Sequence, residues 1–388
     1  EETTDYLKKD ALQEKKKSQV YLDSIDKKKN KFGLLDIING YSYSNSFKKW
    51  TINYNGPALN TSFNTVQGYN TSIGLSYFKN NEDKKTYYQF GSNLAYGFSD
   101  EKFRPTGYFS SKLSNKSKSY LTVFGGNVAT QFNPEEPIAK IVNMVSTLFF
   151  KDNYMKLYEK NFVTANFSRE IFNGLNMTAA VEYAERKPLF NTTDYTLIKN
   201  DDLYTSNNPL LPLDETVAAI DRHNLVKLNI AGRIKFGQEY ITRPDGKYNL
   251  GNDKYPTLLF GYEKGFASND DNYNYDKVTA RITQNLTLGN KGETGINIRA
   301  GKFFNAENIS FVDYKHFNGN ETHVSIGTSF INSFNLLPYY AASTNDSYFE
   351  THLEHNDKGY IMNKIPLLNK LQSKLMLGFK NLAVPERK

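Results

Sequence analysis

The chain has 388 residues, enough for one large barrel or two or three ordinary domains, with a formal net charge of +7, 28 Tyr, 27 Phe, 12 Pro and no Cys. Without Cys there is no disulfide framework and no thiolate metal site, and without an apolar run of about 18 residues there is no transmembrane helix. A mean hydropathy of −0.62 leaves a transmembrane β-barrel open, because such a barrel has a polar inner face and aromatic girdles that these Tyr and Phe can supply.

Residues 1–31 are charged and helix-forming. Lys15, Lys16, Lys17, Lys27, Lys28, Lys29 and Lys31 are interleaved with acids and a few apolar residues, Leu7, Leu12, Val20, Leu22 and Ile25. They read as a solvated helix or linker, with contact to anionic lipid headgroups as the alternative. Nothing there resembles a nucleic-acid module, and no nucleic-acid partner is expected. A short apolar piece, Phe32 to Ile38, leads through Asn39-Gly40 into a pattern that then recurs along the chain. Val226, Leu228, Ile230, Ile234 and Phe236 stand against Lys227, Asn229, Arg233 and Lys235, and Val278, Ala280, Ile282, Leu286 and Leu288 against Lys277, Thr279, Arg281, Thr283, Asn285 and Thr287. Period two means strands with one apolar and one polar face. Strands are expected near 46–55, 69–79, 86–98, 103–114, 119–132, 161–171, 174–186, 223–236, 256–266, 275–289, 292–304, 322–335, 347–360 and 373–384. Numerous, of about ten residues and joined in series, they suit a barrel spanning an outer membrane better than a soluble sandwich.

The connections have a parity. Asn80 to Lys85, Asn115 to Lys118, Asn173-Gly174 and Asn290 to Gly292 are tight, whereas 133–160, 187–222 and 305–321 are long. Short turns on one side and long loops on the other mark periplasmic and extracellular ends, so the chain is expected to enter its first strand from the periplasm. The connection 237–255 breaks the parity and reads as strands extending beyond the membrane. In 133–160, Asn133 can cap a helix with Pro134 and Pro137 in its first turn and with Ile138, Ile141, Val142, Val145, Leu148 and Phe149 at helical spacing. Such a helix packs over its own barrel mouth or, alternatively, docks a partner.

Several phrases go beyond periodicity: Asn153 to Lys160, Thr205 to Leu210, Asp313 to Asn320, Leu336 to Tyr340, Asn363 to Leu371 and, earlier, Tyr21 to Asp26 and Phe63 to Gly68. They resemble the barrel region of a large Bacteroidota outer-membrane family that carries an N-terminal carboxypeptidase-like regulatory domain and is distantly similar to surface-antigen barrels of the BamA and TamA kind. The resemblance covers nearly the whole chain. It implies an all-β fold, a large antiparallel transmembrane β-barrel of about 14 strands here and 16 when complete, with 1–40 as a periplasmic helical segment and 41–388 as the barrel. The regulatory domain is then expected before residue 1 and the closing strands after residue 388. The implied task is assembly or export of envelope proteins, with outer-membrane lipids and other envelope proteins as partners. A solute channel, or a structural barrel within a larger complex, is the alternative.

His352 and His355 lie in Glu350-Thr351-His352-Leu353-Glu354-His355. On a helix this spacing would suggest a metal site. On a strand Glu350, His352 and Glu354 share one face and His355 takes the other, so a polar ladder is expected, with no metal and no cofactor. The resemblance implies a further role for that ladder. In insertase-type barrels the tip of the loop after the eleventh strand folds inward and locks onto an acidic residue of the thirteenth, which here match 305–321 and 347–360. The tip would be Lys315 to Asn320 in place of Arg-Gly-aromatic, with Lys315 or His316 against Glu350, and with Asn318, Gly319 and His352 beside them. An ordinary solvated loop is the alternative. Lys227, Arg233, Lys235, Lys277, Arg281 and Arg299 form a basic lumen face, fit either to attract anions or to fill the lumen through pairs with Glu170 and Glu182. No Gly-x-Ser-x-Gly elbow appears, and enzymatic activity is not expected.

Overall fold

The computed structural model describes residues 14–198, 202–244, 246–251, 254–322 and 331–385. In chain order its strands are β1 (Tyr41–Asn45), β2 (Trp50–Asn55), β3 (Ser62–Asn64), β4 (Gly68–Asn81), β5 (Thr86–Gly97), β6 (Lys102–Ser114), β7 (Ser119–Gln131), β8 (Leu157–Phe172), β9 (Leu175–Pro188), β10 (His223–Lys235), β11 (Tyr240–Arg243), β12 (Gly246–Asn249), β13 (Thr257–Phe266), β14 (Tyr275–Thr287), β15 (Glu293–Phe304), β16 (Ser347–Asn356) and β17 (Met376–Ala383). They form one antiparallel sheet of fifteen strands ordered along the chain, with β3 folded onto β4 and with β11 and β12 making a separate hairpin. The described helices are short, α1 (Gln19–Lys29), α2 (Asp36–Asn39) and α3 (Lys140–Val145), and among the described residues none is long and apolar enough to cross a membrane.

Alternation sets the register, because a slip of one residue would exchange the two faces of a strand. Ile52, Tyr77, Phe90, Phe109 and Val123 therefore stand opposite one another across β2, β4, β5, β6 and β7. Aromatic rings gather at both ends of this face. Trp50 stacks on Tyr43 and Tyr77 near the short turns, with centroids 5.6 and 6.1 Å apart, and Tyr96 meets Phe98 and Phe103 at the other end, at 5.2 and 4.6 Å. From Tyr88 to Tyr96 the strand rises about 27 Å.

The sheet is curled. Six strand spacings separate β7 from β15, which is about 29 Å in a flat sheet. Yet Glu135, just past β7, lies 3.1 Å from Arg299 of β15. The loop between β15 and β16 likewise reaches β9, where Arg186 Nη1 stands 2.5 Å from Asp313 Oδ2. Loops thus occupy the concave side at the end where 56–67, 132–156 and the described parts of 189–222 and 305–346 gather. Among the described residues the strand path is open between β1 and β17.

The fold departs from the sequence reading in four places. The expected strand 46–55 is the second arm of a hairpin whose first arm is β1, since Lys48 N donates to Asn45 Oδ1 at 2.7 Å and Lys49 takes a φ of 57° to make the turn. β1 runs toward the short turns, so the chain enters its first strand heading toward them rather than away: Tyr54, paired with Leu75 midway along β4, donates to the Ile37 carbonyl at 2.9 Å, while α1 sits at the short-turn end with Asp26 accepting from Ser46 N at 2.6 Å. Of the strand expected at 322–335, residues 323–330 lie outside the described residues. Ile331 to Asn335 form a turn, and β15 pairs directly with β16, so no strand stands between them in the sheet. Finally, 237–255 is no extension of β10 and β13. It folds into the β11–β12 hairpin, anchored where Lys247 meets Glu170 at 3.1 Å.

The helix expected in 133–160 begins later than its spacing suggests, as α3, and runs on through a π-helical turn, Ser146–Phe150. Ala139 precedes it without a side-chain cap, and Asn133 is buried elsewhere. Ile138 and Leu148 are buried, whereas Ile141, Val145 and Phe149 face outward. The helix lies over β3, to which Asn143 donates at the Phe63 carbonyl, 3.5 Å away.

Candidate functional site

The described parts of the β15–β16 loop, 305–322 and 331–346, turn into the concave side and are held there by two charge clusters. In the first, Asp313 is fully enclosed. Arg186 of β9 reaches its Oδ2 at 2.5 Å, Lys227 of β10 its Oδ1 at 2.5 Å, and the Tyr275 hydroxyl donates to Oδ1 at 3.4 Å. Burial alone would push the Asp313 carboxyl up, but the two cations hold it well below the usual carboxylate range. Tyr275 also donates to Glu263 at 2.7 Å, which ties the cluster to β13.

The second cluster joins the β7–β8 loop to β15, β16 and the loop between them. Glu135 Oε1 lies 3.0 Å from Lys315 Nζ and 3.1 Å from Arg299 Nη1, and Asn318 Nδ2 donates to Glu135 Oε2 at 2.7 Å. Glu350 of β16 sits behind, its Oε1 3.5 Å from Arg299 and 4.0 Å from Lys315 and its Oε2 3.2 Å from His352 Nε2. Asn133 Nδ2 donates to Asn318 Oδ1 at 2.9 Å, so the β7–β8 loop grips the tip from its other side. Burial would raise the Glu135 carboxyl, but Lys315 and Arg299, with hydrogen bonds from Lys315 and Asn318, bring it down to about 2.

The tip also has an apolar body. Phe311 and Val312 are buried with Phe132, Tyr158, Ile220 and Tyr340, and Phe317 is buried with Tyr275, Phe303, Phe334 and Tyr348. His316 shares a 2.7 Å hydrogen bond between Nδ1 and the Ser343 hydroxyl, and burial with Lys315 beside it lowers its pKa to about 3. Lys315 exchanges backbone hydrogen bonds with Thr344. Gly319 has no positive φ to explain it. A Cβ there would stand 2.1 Å from the Leu337 carbonyl oxygen, so what it provides is close approach rather than a left-handed turn.

The residues singled out from sequence are thus brought together unequally. Lys315, Asn318, Gly319, Glu350 and His352 converge. His316 points away toward Ser343, and Lys315 lies nearer to Glu135 than to Glu350. His352 and His355 take opposite faces, His355 Nδ1 lying 2.8 Å from the Thr294 hydroxyl. Of the basic face, Lys227 serves Asp313 and Arg299 serves Glu135. Arg233, Lys277, Arg281 and Arg299 line one cavity of about 580 Å3, and Lys235 lines its neighbour of about 470 Å3. Glu182 and Glu170 are indeed paired, but with Lys160 at 2.8 Å and Lys247 at 3.1 Å rather than with the basic face. The sequence reading missed Glu135, Asn133, Arg186 and Asp313 as anchors. A carboxylate beside two prolines and an arginine ending a strand were the available signals.

Most of the unusual phrases meet at the long-loop end. Lys156 donates to the Thr205 hydroxyl at 2.7 Å and the Ser206 carbonyl at 2.6 Å, Asn207 pairs with the Leu157 backbone, and Tyr340 packs on Phe311. Burial brings the Lys156 ammonium down to about 7. Asn363 to Leu371, in contrast, forms short helical turns near the other end, and nothing in the structure explains its pattern.

Acid is expected to loosen the loop. His316 and Glu135 both have lowered pKa values in the closed state, so their stabilising effect is complete above the open-state value. It falls for His316 as pH drops from 6.5 toward about 3, and for Glu135 from 4.5 toward about 2. Amide protection factors in residues 311–318 should decline from about pH 7.5 to pH 4, and less so in His316→Asn. Equal protection at both pH values would contradict the assignment.

Comparison with proteins of curated function finds no match. Among solved structures, the chain is similar to the crystal structure of BamA from Haemophilus ducreyi lacking POTRA domains 1-3, with 9% identity and a TM-score of 0.43. The match covers 86% of this chain and 57% of that one, too distant a likeness to carry function. Residues 35–388, which hold the whole sheet and both charge clusters, match the C-terminal domain of a family of unknown function, DUF5686, and the chain belongs to that family.

Proposed function

We propose that the chain is an integral outer-membrane β-barrel whose lumen is plugged by its own loop 305–346 and that it aids assembly or export of envelope proteins rather than conducting solutes. The observation that carries this is the double anchoring of the plug, by Asp313 to β9 and β10 and by Lys315 and Asn318 to Glu135. A loop fixed by a buried ion-pair cluster to β9 and β10, and by a partly exposed one to the β7–β8 loop, obstructs diffusion through the lumen. It leaves the outer wall, with lipid and other envelope proteins, as the working surface. Membrane placement is supported by the outward apolar row and by aromatic clusters about 27 Å apart along β5, which for a strand tilted by about 40° is about 21 Å of height, comparable to an outer-membrane apolar band of about 25 Å. In this reading the short-turn end and α1 are periplasmic, and a carboxypeptidase-like regulatory domain precedes the barrel, as in the Bacteroidota family that the sequence resembles. No catalytic role is assigned.

Two measurements test the reading. Ile282 is exposed on the outer face and Arg281 lines the inner cavity. Ile282→Arg should therefore cost about 2–4 kcal/mol in folding into lipid vesicles if it lies near the midplane, and Arg281→Gln much less. Equal costs would remove the membrane assignment. In planar bilayers the purified protein should give little or unstable conductance. A stable anion-selective pore that weakens on neutralising Arg233 and Arg281 would instead favour a solute channel. Depletion in cells should lower the surface level of other envelope proteins, and unchanged levels would leave a structural barrel in a larger complex as the better reading.

A further inference from the structure

Below the plug the sheet register lines up one row of residues: Glu170, Asn176, Arg233, Leu259, Arg281, Arg299 and Glu350, on β8, β9, β10, β13, β14, β15 and β16. Adjacent strands lie about 4.8 Å apart, and like charges directly opposite each other, as Arg281 and Arg299 are, destabilise a sheet. The two carboxylates are at the ends of the row and already engaged, Glu170 by Lys247 and Glu350 by Arg299. Glu135, among the described residues the only carboxylate lining the larger of these two cavities, is held by Arg299 and Lys315. Among the described residues Arg233 and Arg281 have no carboxylate partner.

The donors in the middle of the row lean on neutral oxygens. Asn332 Oδ1 accepts from Arg281 Nη2 at 3.3 Å, from Arg299 Nη2 at 3.2 Å and from Asn297 Nδ2 at 2.7 Å, while Arg281 Nε donates to Asn297 Oδ1 at 2.8 Å. Asn176, Arg233, Leu259 and Arg281 line both cavities, so they form the wall where the two chambers adjoin, and Lys118 and Lys235 add positive charge on the short-turn side. The result is a roomy polar chamber with forked donors and too little internal negative charge.

We infer that Arg233 and Arg281, with Lys277 and Lys235 flanking them, form a binding site for a phosphate group entering from the short-turn end. A guanidinium offers paired N–H donors that match a tetrahedral oxyanion, and two of them facing one chamber favour phosphate over a monovalent halide. The group could belong to a soluble phosphate compound or to a lipid headgroup. The site does not rest on the assembly reading, since a plugged barrel and a channel would both present it.

Calorimetric titration of the full chain in neutral detergent with inorganic pyrophosphate, at constant ionic strength set by chloride, tests the site. Saturable binding is expected, weakened about tenfold or more in Arg233→Gln/Arg281→Gln and less in Arg281→Lys, which keeps charge but loses the fork. Lys302→Gln, outside both cavities, should bind as the parent does. Repeating the titration in nanodiscs separates the sources. If phosphatidic acid in the disc blocks pyrophosphate relative to phosphatidylcholine alone, the occupant is a headgroup; if it does not, a soluble phosphate. Should the double variant fold poorly, protection of the parent's thermal midpoint by pyrophosphate, against none by chloride, gives an independent reading. Absence of saturable binding, or equal binding by parent and double variant, would overturn the inference.

Discussion

Asp313→Asn is expected to cost about 3–5 kcal/mol of plug stability, the range for removing one partner of a buried ion pair. The asparagine is nearly the same size, so the loss is electrostatic. It leaves Arg186, with a side chain only 2% exposed, and Lys227 confronting each other in a shielded pocket without their carboxylate. The expected readout is loss of amide protection through residues 311–317, with the strands still protected, because the sheet's own ladder does not pass through the loop. Replacing all three members by apolar groups, Asp313→Leu with Arg186→Met and Lys227→Met, should recover part of the loss, since an unpaired buried charge costs more than an absent cluster. A loss below about 1 kcal/mol for Asp313→Asn would mean that solvent reaches the cluster and that the loop is not a fixed plug.

The strands were legible because period two is written into each of them separately: β10, β14 and β15 declare their faces without help from the rest of the chain. Where a strand was missed the local signal was deceptive. Tyr41-Ser42-Tyr43-Ser44 alternates, but the following turn, Asn45 to Lys49, contains no Gly or Pro and reads as more strand. The opposite error at 322–335 has the same root. Phe334 is buried against Phe317 and His352 as part of an inward loop, and an apolar residue that packs on a wall looks like one that belongs to it. The candidate site was legible only by half. Lys315, Asn318 and Glu350 could be named only through the resemblance to insertase-type barrels, and Glu135 and Arg186 are separated from their partners by 180 and 127 residues. No periodicity links such positions; only the curl of the sheet does.

That division gives the lock a discriminating test. Lys315→Glu should place a third carboxylate beside Glu135 and Glu350 and cost about 2–4 kcal/mol, toward the lower end because Glu135 is 38% exposed and solvent screens part of the repulsion. Two second-site reversals then compete. Glu350→Lys should restore little, because Lys315 stands 4.0 Å from Glu350 and the new lysine would crowd Arg299, which already lies 3.5 Å away. Glu135→Lys should restore more, because 3.0 Å separates the original pair and Glu135 sits on a loop that can adjust, although Arg299 opposes this reversal too. Protection of the amides at 314–318 and resistance of the loop to protease report closure. If the Glu350 reversal rescues better than the Glu135 reversal, the loop's principal anchor is the β16 strand. The grip then comes from the wall of the sheet, and the β7–β8 loop is only a cover laid over it.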